Sequence, residues 1–257
     1  MKPVLFEFLG FEVHSYGLLL AVSFAIGIIG TSIATKEHGI RFSTIIDLGL
    51  WILLGSVLGA RIVFILTKWA HFIKYPDEII KLSSDGLSFH GGLLSGFLAG
   101  FWFCCSHKIN PWKLADRVSP FIAIGYSITR IGCFLDGCCY GKASALPWAL
   151  RCSVNDSLLR HPTQIYSLTG SLIIFLIIWL LRNHKQFPGF LFLLYIGLYS
   201  IVRFIVEFYR EGPIVLPCLN LAQLSCIVSA FLAFGLIRLR QLKLRKGVYD
   251  AVSEVNR

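Results

Sequence analysis

The sequence predicts an all-α, polytopic membrane protein, with about seven transmembrane helices and a small head region on its outer face. Composition and arrangement both point there. Of 257 residues, 56% are hydrophobic and only 15% charged, where a soluble domain carries about 25% charge. Mean hydropathy is +0.71. The apolar residues lie in long runs, not in short alternating ones. A soluble enzyme, a disordered chain and a collagen-like fibre are excluded on these grounds.

A membrane-spanning helix needs about 20 mostly apolar residues. Runs of that kind occupy 15–35, 44–66, 88–106, 113–133, 164–181, 189–208 and 217–237. The first follows a stretch holding Glu7 and Glu12, and no small-residue cleavage site comes after it. It reads as a retained span, not a signal peptide. In the third, Gly92, Gly96 and Gly100 recur every four residues, a spacing that lets helix backbones approach closely. The fourth is interrupted by Asp116, Arg117 and Arg130. Residues 1–257 read as one transmembrane domain. Its longest outer connections are about 67–87 and 134–163, the second forming the head, and 238–257 form a basic tail.

Lys and Arg set the orientation. Lys36 and Arg41, Lys108 and Lys113, Arg182 and Lys185 occupy alternate connections, and the tail adds Arg238, Arg240, Lys243, Arg245, Lys246 and Arg257. These predict an outside N-terminus and a cytoplasmic C-terminus. The net charge of +10 then needs no nucleic acid. The basic run beside the last span reads as an anchor on anionic lipid.

Charged side chains inside a bilayer cost about 2.5–3.5 kcal/mol each on insertion scales, so several at one depth need a common reason. The predicted topology puts Tyr16, Arg61, His90, Arg130, His161, Gln164, Arg203 and Glu207 near the outer leaflet. Arginine binds phosphate through a planar fork and keeps its charge when partly dehydrated. Arg61, Arg130 and Arg203 therefore suggest an anion, and a phospholipid headgroup is the abundant one at that depth. Glu207 lies one helical turn after Arg203, which also allows a purely structural pair. His90, at the same level, is a candidate for proton transfer. His161 reads as positional, ahead of a proline at a helix start. Asp116 and Arg117, at the inner end of the fourth span, read as structural.

Eight cysteines are present. Cys104, Cys105, Cys218 and Cys226 read as small core residues. Cys133, Cys138, Cys139 and Cys152 fall at or beyond the outer end of the fourth span. The spacing C-x4-C-C without a paired histidine motif is not a zinc signature, so no metal is expected. A disulfide from Cys152 to Cys138 or Cys139 and a thiol acting in catalysis both stay open.

Several pieces then resemble one family. They are Tyr16-Gly17, Gly59-Ala60-Arg61, Phe89-His90-Gly91-Gly92, Asp116, the segment His161 to Tyr166 (HPTQIY) and the segment Arg203 to Arg210 (RFIVEFYR). Their order and spacing are similar to those of prolipoprotein diacylglyceryl transferases, over roughly Tyr16 to Arg210. The signature G-R-x-G-N-F-x-N-x-E-x-x-G of that family aligns with residues 129–141. Arg130, Gly132, Phe134 and Gly141 match it. Thr129 replaces glycine, Cys133 and Asp136 replace the two asparagines, and Cys138 replaces the glutamate. Ser167 stands where the family often has glutamate.

The resemblance implies transfer of diacylglyceryl from phosphatidylglycerol to the lipobox cysteine of preprolipoproteins, recognised through their signal peptides. It implies no cofactor, no metal and no nucleic acid. By the same resemblance, Arg130 and Arg203 would clamp the phosphate and His90 would be the base or its orienter. Glu207 would hold Arg203, and Tyr16, Arg61, Gln164 and Gly141 would line the substrate site. A divergent relative with another acceptor is an alternative, favoured by the cysteine and aspartate replacements. A non-catalytic lipid or anion binder or transporter is another, disfavoured by the lack of an internal repeat and by a polar layer near one face.

Overall fold

A computed structural model describes residues 3–8, 11–79, 86–152, 158–184, 187–211, 214–216 and 219–255. The chain opens with an antiparallel hairpin, β1 (Val4–Phe8) and β2 (Phe11–His14), and then α1 (Ser15–Thr35). Next come α2 (Phe42–Thr67), the short α3 (Trp69–Lys74), α4 (Phe89–Ser106) and α5 (Pro111–Asp136). A two-stranded ribbon, β3 (Leu150–Arg151) and β4 (Leu159–Arg160), leads to α6 (Thr163–Leu181) and α7 (Phe190–Glu207). A last hairpin, β5 (Ile214–Leu216) and β6 (Leu219–Asn220), precedes α8 (Leu221–Val255).

Among the described residues, seven helices are long and apolar enough to cross a membrane: α1, α2, α4, α5, α6, α7 and the Leu221–Leu244 part of α8. Their outer faces suit lipid, with Phe231 76% and Leu180 74% exposed. The protein is all-α and spans the membrane several times. Helix bounds differ from the hydropathy runs where local chemistry overrides them. Helix α5 starts early because Asn110 Oδ1 accepts the Trp112 and Lys113 amides, with Pro111 at the first helical position. It continues to Asp136, past the expected end. Helix α8 starts at Leu221, because the Asn220 and Gln223 side chains each accept the other's backbone amide at 2.8–3.0 Å. Cys218, expected in that span, lies outside the described residues. Helix α8 has 35 residues, or about 52 Å at 1.5 Å per residue, and carries the basic tail as continuous helix as far as Val255.

The chain clusters into two compact units, Thr31–Leu114 and Met1–Gly30 with Ala115–Arg257. The first is built on α2 against α4 through small residues. A Cβ at Gly92 would touch the Ser56 carbonyl at 3.2 Å and Ala60 Cβ at 3.3 Å, and one at Gly100 would meet Ile52 at 3.2 Å. The glycine repeat thus packs two backbones together, as its spacing suggests. The second unit has a core of Ala123 from α5, Ile174 and Ile178 from α6, and Leu191 and Tyr195 from α7. Hydroxyls tie α5 to α6: Ser171 Oγ donates to the Ala123 carbonyl at 2.8 Å. Asp116 holds the start of α7, accepting the Gly189 amide at 2.7 Å and the Phe192 amide at 3.0 Å. A carboxylate there satisfies orphan amides and meets the positive end of the helix dipole.

Candidate active site

In the unit of Met1–Gly30 and Ala115–Arg257, the polar residues gather at the C-terminal ends of α5 and α7 and the N-terminal ends of α1, α6 and α8. Arg130, one turn before Cys133 on α5, stacks over the Tyr126 ring at 4.5 Å. Its Nη1 lies 3.8 Å from Cys133 Sγ, and its buried Nε has no partner among the described residues. A buried, half-used guanidinium is suited to receive an anion. Tyr126 in turn meets Tyr199 edge-on at 5.3 Å, one turn before Arg203.

Glu207 organises the second cluster. It is 7% exposed, and its carboxylate lies 2.8 Å from Arg203 Nη2 and 4.0 Å from Arg210 Nε. Asn220 Nδ2 donates to it at 3.2 Å. The same Asn220 caps α8, so one side chain ties that helix start to the ion pairs. Two guanidiniums against one carboxylate leave the cluster cationic. Arg210, the last residue of the RFIVEFYR segment, is a member to which the sequence pattern assigns no site role.

The segment after α5 is folded back on itself. Gly137 (φ 78°) and Cys139 (φ 63°) both adopt left-handed backbone, and the Gly137 and Cys138 amides return to the Cys133 carbonyl at 3.1 Å. For a non-glycine residue such as Cys139 this conformation is uncommon. It is held by two buried side chains of α6. Gln164 Nε2 donates to the Cys138 carbonyl at 2.7 Å and Thr163 Oγ1 to the Cys139 carbonyl at 2.8 Å. The Sγ atoms of Cys133, Cys138 and Cys139 consequently lie within 4.8 Å of one another. Hydrogen bonds from Cys133 and Cys138, then the charges of Arg130 and Arg210, pull the Cys139 thiol below the usual range.

Gln164, expected to line the substrate site, therefore spends its amide nitrogen on the backbone, while its buried Oε1 has no partner among the described residues. Tyr16 is half-exposed at the start of α1, within electrostatic reach of Arg130 and Cys133. It passes over Gly132, where a Cβ would meet Tyr16 Cα at 3.3 Å. Gly141 is needed because a Cβ would collide with the Tyr209 carbonyl, the Thr163 methyl and His161 Cβ. His161 Nδ1 lies 3.2 Å from Tyr166 Oη, which accepts from Trp148 Nε1 at 2.9 Å. Cys152 is free and fully buried, its thiol donating to the Leu150 carbonyl at 3.4 Å. The disulfide left open from sequence is not formed, and burial pushes this thiol up.

Arg61 and His90 belong to the other unit. Arg61 donates to the carbonyls of Glu78 at 2.6 Å, Ile79 at 3.1 Å and Gly86 at 3.0 Å. Its fork holds the connection between α2 and α4, which accounts for the charge without an anion. His90 is exposed in the first turn of α4, edge-on to Phe89 at 5.7 Å.

Residues 3–239 match the family model described as prolipoprotein diacylglyceryl transferase. The chain is 30% identical to the phosphatidylglycerol–prolipoprotein diacylglyceryl transferase of Finegoldia magna, over 96% of this chain and 98% of that protein. It is 30% identical to the Clostridium tetani protein of the same name, over 94% and 100% of the two chains. It is 32% identical to that of Clostridioides difficile, over 89% and 91%. Fold, span number and full-length similarity agree, and the chain belongs to the prolipoprotein diacylglyceryl transferase family.

Proposed function

We propose that this protein transfers the diacylglyceryl group of phosphatidylglycerol to the lipobox cysteine of preprolipoproteins, from the outer leaflet of a bacterial inner membrane. The observation that carries this reading is a set of arginines at the ends of apolar spans, Arg203 and Arg210 paired with Glu207 and Arg130 beside Cys133. The reaction forms a carbon–sulfur bond and breaks the glyceryl carbon's bond to a phosphate oxygen. Glycerol phosphate leaves with the electron pair. Charge grows on that phosphate in the transition state, and pre-placed guanidiniums stabilise it there.

Arg130 has a buried Nε with no partner among the described residues and Arg203 the fork held by Glu207, so both clamp phosphate. Tyr16 and Gln164 line the substrate site, and Gly141 lets the chain pass tightly between Tyr209 and Thr163. His90 takes the acceptor thiol's proton or orients the group that does. The N-terminus is outside, the C-terminus cytoplasmic, residues 134–163 form the outer head and 238–257 a basic anchor on anionic lipid. Acceptors are recognised through their signal peptides, and nucleic acid has no part.

The test is direct. Purified protein in micelles containing phosphatidylglycerol is given a synthetic signal peptide with a lipobox cysteine, and the peptide is weighed by mass spectrometry. A diacylglyceryl adduct is expected. No adduct, from protein shown to be folded and to bind the lipid, would reject the proposed acceptor.

A further inference from the structure

Three sulfurs meet in the turn after α5, and phosphate binding does not use them. The Sγ atoms of Cys133, Cys138 and Cys139 lie within 4.8 Å of one another. Thiolates sharing one ion at a metal–sulfur distance of about 2.3 Å sit about 3.8–4.0 Å apart in tetrahedral or trigonal geometry. A shift of under about an ångström therefore brings the set to coordination distance.

The backbone is already committed to this arrangement. The left-handed Cys139 is a conformation that must be held from outside. The holding groups are Gln164 and Thr163, each 1% exposed, on the carbonyls of Cys138 and Cys139. Charge also fits. Three thiolates on a divalent ion carry one net negative charge, and the Arg130 guanidinium 3.8 Å from Cys133 Sγ offsets it. The sequence spacing hides all this, because a left-handed cysteine is not written in a cysteine count.

We propose that Cys133, Cys138 and Cys139 form a binding site for one thiophilic d10 cation of the zinc class. Softness selects it: three sulfurs and no carboxylate are a poor set for magnesium or calcium. Three protein ligands leave the fourth tetrahedral position open. A thiol is the matching ligand there, and it loses its proton on binding. If the protein is the transferase proposed above, on which this second step rests, that ligand is the acceptor cysteine. Its S–H proton goes to the base of the transfer reaction proposed above, its sulfur forms the bond to the glyceryl carbon, and the carbon–oxygen bond to phosphate breaks beside Arg130.

The experiment uses full-length protein, reduced and held in detergent micelles without oxygen. It is titrated with Co(II), a coloured stand-in for zinc, with no lipid or peptide present. One equivalent should bind with a sulfur-to-cobalt charge-transfer band, and Zn(II) should bleach it. Cys133→Ser, Cys138→Ser and Cys139→Ser should each weaken binding at least tenfold, while Cys105→Ser binds like the parent. On the parent itself, Zn(II) should protect Cys138 and Cys139 from alkylation, read by mass spectrometry, so the result does not depend on variants folding. No band in folded, reduced protein, or alkylation that zinc leaves unchanged, overturns the site. Adding the lipobox peptide should intensify the band, and its cysteine-to-serine analogue should not; equal spectra overturn the thiol step. Metal binding without lipid transfer would reject the transferase reading and leave the site standing, whereas transfer unaffected by all three serine variants would reject the metal's part in it.

Discussion

Arg203 Nη2 lies 2.8 Å from the carboxylate of Glu207, one helical turn further along α7, and that carboxylate is 7% exposed. It also faces Arg210 and accepts from Asn220, so it is shared among α7, the turn after it and the start of α8. A single acid holds two guanidiniums at fixed positions while leaving the pair cationic. That is a stable base for binding phosphate, since the arginine geometry is set before the substrate arrives.

Glu207→Gln should accordingly act on both stability and turnover. Removing the charge from a buried pair costs about 3–5 kcal/mol when both partners are buried. The Arg203 side chain is 21% exposed, so about 2 kcal/mol is expected here. Thermal unfolding in detergent should show a lowered midpoint, and the mass assay at least a tenfold loss of transfer. A parental midpoint with parental turnover would show that the pair does neither job.

Gly141→Ala tests the close approach behind the site. The new methyl would lie 2.8 Å from the Thr163 methyl carbon and 2.9 Å from His161 Cβ, and nearer still to the Tyr209 carbonyl. Backbone on one side cannot swing away, so overpacking of about 1–3 kcal/mol is expected. The measurement is the unfolding midpoint beside that of Gly17→Ala, where a Cβ meets nothing within 4 Å. Equal midpoints would mean the turn yields freely.

How much of this could be read beforehand follows from the kind of signal each residue carries. The spans are legible because lipid demands continuous apolar runs, and Gly92 and Gly100 because small residues at a fixed helical spacing have few other uses. Arg130, Arg203 and Glu207 stand out because charge in an apolar run is costly. Arg210 does not, because it sits just past the span, where a charge is ordinary. The role of Asn220 depends on a cap and an ion pair meeting in space. The three-sulfur turn depends on positive φ at Cys139, which local sequence disfavours and only Gln164 and Thr163, some 25 residues on, enforce. Arg61 shows the converse: its residue type and depth suggest an anion, but loop carbonyls take up its fork.

Asp116→Ala should separate stability from chemistry. The carboxylate accepts two amides at the start of α7, and losing such a cap costs about 1–2 kcal/mol. Asp116→Asn keeps one acceptor and should fall between parent and alanine. Transfer by the folded fraction should stay within about threefold of the parent, equivalent to well under 1 kcal/mol. A far larger loss in protein of normal thermal stability would give Asp116 a part in the reaction.

Arg130→Lys is the sharpest test of how the phosphate is held. Lysine keeps the charge but not the planar fork, and it cannot reproduce both the stack on Tyr126 at 4.5 Å and the approach to Cys133. If charge alone stabilises the leaving phosphate, lysine should retain most of the rate. If the fork is required, the loss should be about 10²-fold or more, near that for removing a transition-state donor elsewhere. The buried Nε, without a partner among the described residues, argues for the second outcome, because a donor fixed in that plane serves an anion that accepts from it. Arg130→Ala should lose at least as much, with the protein still inserted and folded by circular dichroism. Turnover near the parental rate in Arg130→Lys would leave the position as a point charge and move the clamp to Arg203 and Arg210.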